Sequence, residues 1–182
     1  MSNKYILGHR AQTRNKTLRY AVTFSAVLLL LAMLQVSLFG KFRLFGAVPD
    51  LMICAVLCIG FFVGQWAGAV SGIGAGFLIE ALGGSGIVIL PLCYLFQGYL
   101  IGYYVRPTQR GIVQYLICFV ITLFYRASIT VLYACMSYRN FSLPAVLLHT
   151  VLPEMGATAL AGIILFFPMF LLCAWLEKQN KR

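Results

Sequence analysis

Long apolar runs, separated by short stretches of glycine, proline, lysine and arginine, leave this chain few folds. The first run is unbroken from residue 20 to about residue 39. A membrane-spanning helix needs roughly 20 mainly apolar residues, and an unpaired backbone group in hydrocarbon costs several kcal/mol, so such runs are expected to be helices. A membrane β-barrel would alternate apolar and polar residues, and that alternation is not seen. With 62% hydrophobic and only 10% charged residues, lipid must be the solvent for most side chains. The expected fold class is an all-α integral membrane protein built as a six-helix transmembrane bundle.

Residues 1–19 read as a basic cytoplasmic arm with Lys4, Arg10, Arg14, Lys16 and Arg19, residues 20–176 as the transmembrane domain, and residues 177–182 as a basic cytoplasmic tail. The first apolar stretch is too long for a cleaved signal peptide and lacks a small-x-small site, so it is expected to stay attached. Pro49-Asp50 reads as an N-capped start to a second helix ending near Phe62. Gly64-Gln65-Trp66 reads as a tight reversal and Gly83-Gly84-Ser85-Gly86 as a second break, with a third helix over about 67–82 between them. Further helices are expected at about 87–105, 111–136 and 156–176. The stretch 138–155, with Pro144, His149, Pro153 and Glu154, is mixed in character and reads as an interfacial or partly inserted helix.

Lysine and arginine in short flanking loops set orientation. The arm, the 106–110 loop and the tail together hold ten, the opposite side holds Lys41, Arg43 and Arg139, and Arg126 lies within the membrane. Both termini are therefore expected in the cytoplasm. The net charge of +10 is assigned to anionic headgroups rather than to nucleic acid.

Of the four acids, Asp50, Glu80 and Glu154 fall at the predicted outer ends of helices. At a rise of roughly 1.5 Å per residue, Glu80 and Arg126 lie at the same depth, and an intramembrane charge normally finds a partner. Arg126 is expected to pair with Glu80, with Glu154 as the competing partner, in a helix-locking role rather than a substrate or proton site. Gly60, Gly64, Gly68, Gly72 and Gly76 recur every four residues, and Gly98 and Gly102 form a shorter series. Such stripes let helix backbones approach within a chain in lipid.

The six cysteines lie in or beside apolar runs and are expected as free thiols, since no histidine accompanies Cys54 and Cys58. No zinc-protease, phosphate-loop or dinucleotide motif is present, and neither cofactor nor metal is expected. Gly83-Gly84-Ser85-Gly86 with His149 is similar to the Ser and His pair of rhomboid proteases. A plain turn and an interfacial histidine account for these residues more simply.

The order of features resembles the rod shape-determining protein MreD family. The residues that carry it are the first helix ending near Leu34-Gln35, a short loop closing on Pro49-Asp50-Leu51, and then GAVSGIGAGFLIEALGGSGIVILPLCYLFQGYLIGYY. The likeness is strongest over residues 35–104. Glu80 stands where that family usually has aspartate, and the basic arm is longer. The resemblance implies a non-enzymatic scaffold of bacterial cell elongation, in the cytoplasmic membrane, working with MreC, the RodA and penicillin-binding protein synthase pair, and MreB. It also implies a fold similar to the S components of energy-coupling factor transporters. A vitamin-binding S component is thus the alternative, distinguished by a sizeable, partly polar outward pocket. Structural or partner-contact residues implied are Gln35, Pro49, Asp50, Gly68, Gly72, Gly76, Glu80, Gly86, Arg126 and Glu154.

Overall fold

In a computed structural model of the chain, residues 2–39, 47–83, 89–105, 111–137 and 143–181 are described, and every regular element among them is helical. Helix α1 (Ser2–Leu34) ends in a π-helical turn, Gln35–Phe39. There follow α2 (Leu51–Phe62), α3 (Gln65–Gly83), α4 (Leu90–Tyr104) and α5 (Ile112–Ser137). The short α6 (Leu143–Val146) leads through a π-helical turn, Leu147–Val151, into α7 (Leu152–Lys181). Among the described residues, three stretches are long and apolar enough to cross a membrane: Leu18–Ser37, Ile112–Met136 and Leu147–Leu176.

The arm up to residue 19 is helical from Ser2 and continuous with the apolar part of α1, and the tail is helical to Lys181. Two boundaries differ from expectation. Gln65 and Trp66 belong to α3, because Gly64 makes the reversal by itself at φ 128°, a left-handed conformation that glycine adopts without a side-chain clash. Residues 143–155 are helical and run through a π-helical turn into the last helix, which therefore begins before residue 156. Pro144 is tolerated as the second residue of α6, where no intrahelical bond is lost, and Pro153 follows directly on the π-helical turn, whose wider register accommodates the bond it cannot make.

The centre of the bundle is α2. Every residue from Leu51 to Phe61 is buried, and the helix packs against α1, α3, α4, α5 and α7. Its 12 residues span roughly 18 Å, well short of a hydrocarbon core of about 30 Å.

The glycine stripe forms a seam between α3 and α4. A β-carbon at Gly68 would strike the Gly98 carbonyl, one at Gly72 the Tyr94 carbonyl, and one at Gly76 the backbone of Pro91. Gly60 and Gly98 complete the contact. The backbones therefore touch directly, and dispersion between them holds the pair. At the Gly64 end, Trp66, Tyr103 and Tyr104 are exposed, and Tyr99 packs edge-on to Trp66 at 5.9 Å. Such a cluster suits a membrane–water interface.

Candidate functional site

The start of α2 lies in the protein interior, where its leading N–H groups have no water to bond. Three of them are met by side chains. Asp50, the N-cap, accepts from the Ile53 N–H through Oδ1 at 3.0 Å. The Gln35 Oε1 accepts from the N–H groups of Leu51 at 3.1 Å and Met52 at 3.3 Å, which is why the turn ending α1 matters to α2. The Asp50 N–H in turn donates to Thr158 Oγ1 on α7 at 3.1 Å, and Pro49 beside it is fully buried.

A cluster of charge is built on this cap. Arg126 of α5 places Nε 3.2 Å from Asp50 Oδ2 and 2.8 Å from Glu154 Oε1, and Nη2 2.7 Å from Glu154 Oε1. Thr130, one turn along α5, donates to Glu154 Oε2 at 2.8 Å. The Tyr94 hydroxyl of α4 donates to Asp50 Oδ2. The side chains are 18% exposed for Arg126, 2% for Asp50 and 12% for Glu154, so the pairing is largely withdrawn from solvent. Four helices, α2, α4, α5 and α7, thus meet at one network.

Two carboxylates against one guanidinium leave a formal excess of one negative charge. Asp50 caps α2, whose N-terminus carries roughly half a positive charge. That end offsets part of the excess, and hydrogen bonds from Tyr94 and Thr130 satisfy the carboxylates further, as ionised groups in a low-dielectric interior require.

The expected Arg126–Glu80 pairing is corrected: the ion pairs of Arg126 are to Asp50 and Glu154. Helix α3 packs on α1, α2 and α4, whereas α5 packs on α2, α4 and α7, so the acids within reach of Arg126 come from α2 and α7. Glu80 has an interaction of its own. Gly68, Gly72 and Gly76 lie in the α3–α4 seam, and Gly86 and Ser85 lie outside the described residues. His149 is exposed in the π-helical turn of Leu147–Val151. Among the described residues no three His, Cys, Asp or Glu side chains come together as a metal site, and all six cysteines are free thiols.

Tyr94, Thr130 and Thr158 were not among the expected site residues. Two of them carry a readable signal, since Thr130 is four residues after Arg126 and Thr158 four after Glu154, the spacing of one helix face. Tyr94 sits in an apolar stretch and carries none. A second polar link joins α4 to α5 and α2, where Gln97 Nε2 donates to Thr122 Oγ1 at 3.3 Å and to the Ile53 carbonyl at 3.4 Å. No protein-family model, no curated protein and no solved structure matches the chain.

Proposed function

We propose that the protein is a multi-pass scaffold of the bacterial cell-elongation machinery, of the MreD kind, acting by assembly rather than catalysis. In this reading α1 to α5 and α7 are six spans of the cytoplasmic membrane with both termini in the cytoplasm. The partners are an MreC-like protein, the RodA and penicillin-binding protein synthase pair and, through them, MreB.

One observation carries the reading furthest. Asp50, Tyr94, Arg126, Thr130, Glu154 and Thr158 engage one another instead of lining an outward pocket as a vitamin-binding subunit would require. The stretch that resembles MreD, residues 35–104, also coincides with a coherent structural unit: the Gln35 cap, the buried α2 and the glycine seam. Outer faces of α5 and α7, with Ile117, Ile121 and Phe124 on one and Ile163, Ile164 and Phe167 on the other, stay exposed for lipid or partner helices.

Purification in mild detergent, with identification of bound proteins and small molecules, tests the proposal. An MreC-like protein that also crosslinks to positions 40–50 or 137–155 is the expected result. A stoichiometric vitamin with no such protein would replace the scaffold by a transporter subunit.

A further inference from the structure

A groove of about 790 Å³ runs between α1 and α3. Tyr20, Gln65 and Trp66 stand at its mouth, and Leu28 and Gly74 line its far end. From Gln65 to Gly74 the groove climbs roughly 14 Å, and from Tyr20 to Leu28 roughly 12 Å, at 1.5 Å per residue. Among the described residues, none of α1 beyond Leu28 and none of α3 beyond Gly74 lines the groove. The groove thus covers about half of a hydrocarbon core of about 30 Å, the depth of one leaflet. A partner's spanning helix would need the whole depth, whereas a lipid acyl chain needs only this much.

Gly74 separates this groove from the α3–α4 seam. A β-carbon at Gly68, Gly72 or Gly76 would strike α4, but at Gly74 it would meet nothing within 4 Å. Its missing side chain brings no helix closer and instead keeps the groove deep.

Charge lies beside the mouth, outside the groove's own lining. Arg19 precedes Tyr20, is exposed, and lines a smaller groove of about 370 Å³ on the other flank of α1 with Leu18 and Trp175. No acid occurs before Asp50, while Lys4, Arg10, Arg14, Lys16 and Arg19 all fall in the first 19 residues. An aromatic cluster around Trp66 marks the same end as the interface level. From this combination we infer that the α1–α3 groove binds one acyl chain of an anionic phospholipid, whose headgroup is held at the Arg19 end. The inference rests on α1 and α3 being membrane helices and not on the scaffold assignment.

Fluorescence quenching in vesicles tests it. The chain has two tryptophans, so Trp175→Phe leaves Trp66 at the groove mouth as the sole reporter. The full chain is reconstituted into phosphatidylcholine containing a minor fraction of phosphatidylglycerol or phosphatidylcholine, brominated near the carboxyl end of one chain. Brominated phosphatidylglycerol should quench more strongly than brominated phosphatidylcholine. Arg19→Gln should lower that preference about fivefold, the effect of one basic residue at an anionic surface. Gly74→Leu should bring quenching by both lipids to one common level. Leucine favours helix over glycine and meets open space here, and Gly74→Ala should give a smaller change in the same direction. Equal quenching by the two lipids before substitution, or quenching untouched by both Gly74 variants, would overturn the inference. So would a co-purified protein that shields Trp66 from either lipid.

Discussion

The two ends of the bundle treat charge in opposite ways. At one end Asp50, Arg126 and Glu154 are drawn inside and satisfied by each other, by Tyr94 and Thr130, and by the N-terminus of α2. At the other end Arg19 and Lys178 are exposed. The difference follows from solvation. A charge without water needs a fixed partner, and that need locks helices together, whereas a charge at the headgroups is already solvated and remains free to choose a ligand.

The largest expected effect that would break this contrast is at Arg126. Arg126→Leu leaves two carboxylates facing each other without their cation, and loss of one partner from a buried pair costs about 3–5 kcal/mol. Unfolding in mixed micelles would measure it, and an unchanged midpoint would mean that the network does not hold the bundle.

Next comes a comparison within α3 itself. Gly72→Leu forces a side chain into the Tyr94 backbone and should cost about 1–3 kcal/mol or more, while Gly74→Leu, two residues away, should be neutral or slightly stabilising. Similar losses at both positions would remove the distinction between seam and groove.

Gln35→Ala should cost about 1–2 kcal/mol, because it strips the acceptor from two N–H groups of α2 while α1 keeps its own helix. Hydrogen exchange at Leu51 and Met52 should accelerate relative to the middle of α2. Smallest of all, Arg19→Gln should change stability by less than about 0.5 kcal/mol, as expected for an exposed position. A large loss there would show the basic end to be locked in the same manner as the acidic one.

Much of the fold is legible in the order of residues. The apolar runs mark the helices, Pro49-Asp50 marks the capped start of α2, and the four-residue glycine spacing marks a close-packed face on α3. The choice among partners for Arg126 is less legible: Glu154, the competing candidate, is one of its two acids, and Asp50 rather than Glu80 is the other. Counting residues along a helix yields depth, and Glu80 does share a depth with Arg126, but depth says nothing about which helices are neighbours around the bundle. Only the packing of α5 on α2 and α7 decides that. The continuity of 143–181 was hidden for a related reason. Two prolines, a histidine and an acid give 138–155 its mixed character, yet Pro144 stands at the start of α6 and a π-helical turn joins α6 to α7.

The claim that the interior charges are closed on one another is tested most directly by a double-mutant cycle on Asp50 and Arg126. Asp50→Asn retains an acceptor for the Ile53 N–H while removing the charge, so the cycle with Arg126→Leu isolates the ion pair from the helix cap. The account predicts that the double variant is less destabilised than the two single variants combined, by at least about 1 kcal/mol. Strict additivity, with each loss independent of the other residue, would contradict it.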